Sequence, residues 1–207
     1  MELREMINNA GREFSRRVEE FAGSEVRQKV MLGGGEVPEV FDPAQVALDY
    51  KEAVERLEKL ADKEACGKVM SACGCTCQSL YDLTALQVRE QRRSYATEDE
   101  FLDNFRVFHN GTRIERKGKD LIQRFNPGQM FDFAPGLRCA CMLIGGLPKG
   151  VYASPTVCEC SRAFTQQRWE TILGRPVDVE IVSTAIISDT GECTFIIHLW
   201  KGETNGS

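Results

Sequence analysis

The sequence predicts an α+β fold, and three observations carry that expectation. Apolar residues recur at helical spacing through the first half, short extended runs dominate the second, and one helical stretch interrupts those runs. Helices followed by strands, without strict alternation, predict a helical N-terminal half packed on an antiparallel sheet.

The first helix follows from Leu3, Ile7, Ala10, Phe14, Val18 and Phe21, with Arg and Glu between them. The stretch SEVRQKVMLGGGEVPEV, with three consecutive glycines and a proline, reads as a flexible connection. Residues 1–40 are thus an amphipathic helix with its linker, and residues 41–207 a single α+β domain. Asp42-Pro43 starts the next helix, Asp as cap and Pro in the first turn, with Gln45 three residues on. Val46, Tyr50, Ala53, Leu57 and Leu60 form its apolar stripe. Two further helices are expected, through SLYDLTALQVREQRR and after the capping box Thr97-Glu98-Asp99-Glu100. Beyond them, TRIERKGKDLIQRF reads as two extended runs around Lys117-Gly118-Lys119, and GLRCACMLIGG as a buried strand. A helix from Glu159 to Leu173 closes at Gly174. PVDVEIVSTAII and CTFIIHLW then form a terminal hairpin about the turn Ser188-Asp189-Thr190-Gly191.

The chain has 207 residues, 42% hydrophobic and 28% charged, with a net charge of −5 and no basic block to track a phosphate backbone. Nucleic acid is not an expected partner. No apolar run approaches the ~20 residues that cross a bilayer, and the charged start MELREMINNAGREFSRR has no apolar leader. A cytoplasmic location off the membrane is expected, where thiols stay reduced and the Asn110-Gly111-Thr112 sequon carries no glycan. The amphipathic first helix, followed by glycines, could serve as the arm of a homodimer.

Nine cysteines accompany only two histidines. In CGKVMSACGCTC, Cys66, Met70, Cys73 and Cys77 fall on one helical stripe, with Cys75 off it. The stripe either packs as soft hydrophobes, or Cys73, Cys75 and Cys77 leave the helix at Gly74 and supply thiolates to zinc or an iron–sulfur cluster. On a strand, Cys139 and Cys141 would point to one face; Cys158 and Cys160 converge only if one still lies before the helix. The spacing is not that of a zinc ribbon or a ferredoxin. His109 reads as a loop residue and His198 as a structural residue on the last strand, since no catalytic partner can be placed beside it.

A small-molecule pocket is expected between the 139–144 strand, the helix at 164–173 and a first-half helix. Phe131, Phe133, Met142, Tyr152, Phe164 and Trp169 would wall it, and Arg138, Tyr152, Gln166 and Arg168 would supply polar groups. The bland alternative is that these aromatic residues close the core.

The segment SPTVCECSRAFTQQRWETILGRPVDVEIVSTAIISDTGECTFIIHL resembles the C-terminal part of the 4-vinyl reductase-like domain, a small-ligand-binding sensor domain. It is also similar to the end of the L-2-amino-thiazoline-4-carboxylic acid hydrolase family, in the words Leu173-Gly174-Arg175 and the Gly191-Glu192-Cys193-x-Phe195 strand. The resemblance covers roughly residues 137 to 200 and implies a 4-vinyl reductase-like C-terminal unit. The sensor domains hold zinc through a Cys before the helix, a Glu and a Cys on the next strand, and a Cys opening the last strand. Cys158 and Cys193 match the outer two. The middle two have no counterpart, since Glu180, Ile181 and Thr184 stand near them. Either Cys160 and one of Cys139 or Cys141 complete a rearranged zinc site, or the site is not retained. The hydrolase resemblance would make the chain a cysteine-dependent hydrolase of small heterocycles, with Cys73-Gly74-Cys75-Thr76-Cys77 similar to an element of that group. An iron–sulfur redox protein is the remaining alternative.

Overall fold

A computed structural model describes residues 3–32, 36–73, 78–108, 111–129, 137–139, 141–188 and 190–199. The helices are α1 (Leu3–Ala22), α2 (Ser24–Val30), α3 (Pro43–Leu60), α4 (Lys63–Ala72), α5 (Gln78–Arg92), α6 (Glu98–Asn104) and α7 (Glu159–Leu173). The strands are β1 (Arg113–Lys117), β2 (Asp120–Phe125), β3 (Asp178–Ser183) and β4 (Cys193–His198), in one antiparallel sheet ordered β1-β2-β4-β3. The α+β class therefore holds. Among the described residues no helix is long and apolar enough to cross a membrane.

Local chemistry sets several of these boundaries. The Asp42 carboxylate accepts from the Ala44 N–H at 2.9 Å and caps α3, with Pro43 in its first turn. Gln45 does not complete a capping box, because its amide donates to Asp49 instead. At α6 the box forms: Thr97 Oγ1 accepts from the Glu100 N–H, and the Glu100 carboxylate accepts from the Ala96 N–H. Gly118, with a positive φ, lets β1 turn into β2, and Gly174 ends α7 in the left-handed region.

Three expectations need correction. Residues 24–30 are helical, not a loose connection. Gly23, at φ 90, breaks α1, but Ser24–Val30 holds good helix formers, and its Val30 is fully buried. The run at 137–147 is a series of turns, not a strand. Cys141 O accepts from the N–H groups of Ile144 and Gly145, and Gly145 O accepts from the Arg138 N–H at 2.7 Å. A buried strand and a buried turn share the same continuous apolar signature, so periodicity could not separate them. The third strand stops at Ser183, and residues 184–187 curl into a turn in which the N–H groups of Ile187 and Ser188 donate to Thr184 O.

Two cores result. The first joins Ile7, Phe14 and Val18 of α1 to Val54 and Leu57 of α3, Val69 and Met70 of α4, and then Leu143, Ile144, Val157 and Ile186. The N-terminal helix is thus part of the body of the fold. The second joins Val88, Phe101, Leu102 and Phe108 to Trp169 and Ile172 of α7 and to Leu121, Phe195 and Ile197 of the sheet. Helix α7 passes from one to the other. Its fully buried Trp169 donates its indole N–H to Gln123 Oε1 on β2 at 2.9 Å.

Two outcomes are expected of this fold. Trp169→Phe keeps most of the buried ring but removes the indole N–H that Gln123 Oε1 accepts, leaving that oxygen buried, and should cost about 1–3 kcal/mol in chemical denaturation. Gly146→Ala should be at least as harmful, since a Cβ there would stand 2.3 Å from the backbone oxygen of Pro43. An alanine variant as stable as the parent would mean that the 137–147 turns do not pack on α3.

Candidate functional site

Several thiols share the first core with Tyr50. Its phenol, on the buried face of α3, lies within electrostatic reach of Cys141, Cys73, Cys160 and Cys158; with burial as the first cause, these push its pKa well above the usual tyrosine range. The hydroxyl sits 4.0 Å from Met70 Sδ. Cys66 and Cys158 belong to the first core, and Cys73, Cys139 and Cys141 pack against it. These sulfurs come from three stretches of chain: α4 and its C-cap, the 137–147 turns, and the continuous run from the 3-10 turn at Pro155–Cys158 into α7.

Individual positions are well defined. Cys139 Sγ accepts from the Cys141 N–H at 3.5 Å. Cys158 ends the 3-10 turn, with its Sγ 3.1 Å from Thr184 Oγ1. Cys160, in the first turn of α7, reaches back to Val157 O at 3.5 Å. Cys193 opens β4 in the second core, where it faces Phe125 in register and the Ala185 backbone bonds to its sulfur. Both Cys139 and Cys193 act electrostatically on Cys158. Among the described residues the seven cysteines form no disulfide, and no three Cys, His, Asp or Glu side chains are grouped tightly enough, as they stand, to hold a metal ion. Cys75 and Cys77 lie outside the described residues.

None of the titration shifts resolved for these thiols runs toward the thiolate. Burial pushes Cys73 up to about 12 and Cys193 up to about 11; it raises Cys158 further still, against the Thr184 hydrogen bond. Cys66 is raised as well, by burial first and then by the charges of Glu58 and Asp62.

The expected pocket residues have other placements. Trp169 fills the second core. Phe164 and Phe108 sandwich the buried Arg168 guanidinium, at 4.7 and 4.9 Å from their ring centroids. Tyr152 is 41% exposed and lies under the Arg138 guanidinium. Arg138 itself is held by backbone carbonyls on two turns. Phe131 and Phe133 lie outside the described residues.

The cleft that does open lies elsewhere. It holds about 270 Å³ between α1, α2 and α3, lined by Ile7, Phe14, Val30, Val46, Tyr50 and Leu143. Of the three walls expected, a first-half helix and the 139–144 segment contribute; α7 does not, because its apolar face is already spent on the second core. Tyr50, the residue common to cleft and thiols, was read from the sequence only as one member of a helical stripe. Its even i, i+3, i+4 spacing carried no signal beyond core.

His198 has partners that the sequence could not place. Its Nδ1 stands 2.8 Å from Asp120 Oδ1, directly opposite it on β2, and its Nε2 3.5 Å from Glu180 Oε2, which lies diagonally across on β3, where Asp178 is the residue in register; His109 lies outside the described residues. The Asp120 hydrogen bond, then the charges of Asp120 and Glu180, raise its pKa.

No protein-family model matches the chain, and no curated protein matches its sequence.

Two measurements check this geometry. Cys66, Cys73, Cys158 and Cys193 should react slowly with iodoacetamide at neutral pH in the metal-free folded protein and rapidly once it is unfolded; fast labelling of any of them in the native state would contradict its burial. For His198, a pKa raised by folding means that its contribution is fully present below the unfolded value near 6.5 and is lost as pH rises through the folded value. His198→Gln should therefore cost about 0.2–1 kcal/mol at pH 5.5 and less at pH 8, given a partly exposed pair. A cost that grows with pH would refute the assignment.

Proposed function

We propose that this chain is a small-molecule-binding domain whose ligand cleft is backed, across Tyr50, by cysteines that hold a thiophilic metal. The observation that carries the reading is the position of Tyr50: the residue lines the cleft, and its phenol feels the electrostatic influence of four thiols from three parts of the chain. A cleft of this size, lined by apolar side chains together with the charged Glu36, Asp49, Glu52 and Arg56, suits a small apolar or aromatic ligand that carries a polar group.

The donor set is the second support. Sulfur is the only strong soft donor gathered there, which suits zinc or an iron–sulfur cluster and not a hard cation. Bound metal would supply a fixed thiolate scaffold that ties α4, the 137–147 turns and the start of α7 together. Cys141, Cys158 and Cys160 are the proposed ligands, with Cys73 and Cys139 completing the set; the sulfurs must draw closer than they stand. Cys193, in the second core, acts on Cys158 from behind and joins the set only if that core yields. The 4-vinyl reductase-like resemblance points the same way for Cys158. Burial raises the resolved thiols and thus argues against a cysteine-nucleophile hydrolase, which needs a thiolate near neutral pH.

Elemental analysis of protein purified without air tests the metal. Close to one zinc per chain in colourless protein supports a zinc site, and iron with sulfide in brown protein supports a cluster. Either content should fall at least about tenfold in Cys158→Ser and Cys141→Ser and should decline on acidification, because raised thiols regain their protons first. Metal-free protein would overturn the metal. A thermal-shift screen of phenols and small heterocycles tests the cleft: a stabilising hit should vanish in Val46→Phe, which fills the cleft wall, and the absence of any hit would overturn ligand binding.

A further inference from the structure

We infer that Arg138 is the positioning residue of the thiol group, setting the Cys139–Cys141 turn against the turn that carries the partners of Cys158 and Cys193. This goes beyond the proposed function, although it concerns the same sulfurs. The guanidinium donates from one terminal nitrogen to Pro148 O at 2.9 Å and Val151 O at 2.7 Å, and from the other to Ala185 O at 2.9 Å and Ser188 O at 3.3 Å. The backbone N–H of Arg138 donates to Gly145 O. One residue therefore ties together the 137–147 turns, the 148–151 bend and the 184–188 turn.

Two of the three tied segments touch sulfur. Arg138 directly precedes Cys139, whose Sγ accepts from the Cys141 N–H, and Cys141 O anchors the turn that closes on Gly145. The third segment begins beside Thr184, whose Oγ1 meets Cys158 Sγ, and includes Ala185, whose backbone bonds to Cys193. Moving the 184–188 turn relative to the 137–147 turns would thus move two sulfurs away from the other two. Four carbonyls in two separated pairs call for a planar fork with donors on both terminal nitrogens. A lysine ammonium, with one nitrogen on a flexible stem, can serve one pair but not both.

The test compares Arg138→Lys and Arg138→Ala with Arg175→Lys as control. Arg175 also clamps a backbone carbonyl, that of Leu199, and pairs with Glu98, but at the second core. Two readouts are taken on variants shown by circular dichroism to be folded. In the reduced metal-free protein, per-residue labelling by mass spectrometry should show Cys139 and Cys141 reacting about tenfold or more faster in Arg138→Lys, with Cys66 unchanged, as local opening requires. Added methylguanidinium should restore slow labelling in Arg138→Ala and not in Arg138→Lys, where the lysine occupies the space. In cobalt(II) titrations, the thiolate-to-cobalt charge-transfer band per bound ion should fall by at least half in Arg138→Lys and stay whole in Arg175→Lys.

Unchanged labelling of Cys139 and Cys141 would overturn the inference. So would Cys66 rising in step with them, which marks general loosening. If the parent protein takes up no cobalt, the metal reading fails by itself, and the labelling contrast still decides Arg138. If Arg138→Ala does not fold, Arg138→Lys alone carries the decision.

Discussion

The arrangement around Tyr50 depends on one close approach of backbone to backbone. The 137–147 turns lie on the start of α3 with no side chain between them: a Cβ on Gly146 would meet Pro43 O, and one on Gly145 would meet Cys139 O, each at 2.3 Å. That contact lets Leu143, Ile144 and Leu147 drop into the first core, adds Leu143 to the cleft lining, and packs Cys139 and Cys141 against that core, with Cys141 acting electrostatically on Tyr50. Two adjacent glycines permit it because neither has a side chain to exclude the neighbouring peptide.

Burial then determines what the sulfurs are in the absence of a ligand. A thiol under packed helices keeps its proton, and Cys66, Cys73 and Cys158 behave as small soft hydrophobes that fill space beside Met70. The same positions can serve packing and metal binding, because the two states differ by protons exchanged for a cation. Were the proposed metal bound, the fold's stability and its metal content would be parts of one equilibrium. The His198 group works on the opposite principle: it is half-exposed at the far end of β4, where two carboxylates favour its charged form.

Much of this was legible because local chemistry decides it. Asp42-Pro43, the Thr97 box, Gly118 and Gly174 each satisfy or release backbone groups within a few residues, so the sequence shows both the cause and its effect. The alternation on β4 likewise separates Cys193, Phe195 and Ile197 from the outer face. What depends on distant partners was not legible. The apolar run at 137–147 turns because of a contact with Pro43, roughly a hundred positions earlier. Asp120 reaches His198 only through strand register, and Arg138 finds its carbonyls on turns that the sequence had read as loop and strand. Tyr50 carries no motif at all; its role follows from which segments fold over it.

The two cores are interleaved along the chain, and this has a consequence for the newborn protein. The first draws on residues 7 to 70 and then 143 to 186, the second on 85 to 121 and 169 to 199. During synthesis, α1, α3 and α4 emerge well before the stretch that roofs them. At about 5–20 residues per second, the gap between Met70 and Leu143 lasts roughly four to fifteen seconds. Throughout that interval α4, with Cys66 in its first turn and Cys73 at its C-cap, can pack against α1 and α3, while the side that α7 later covers stays open. One side of the cover over these sulfurs is therefore made at once and the other only near the end of synthesis.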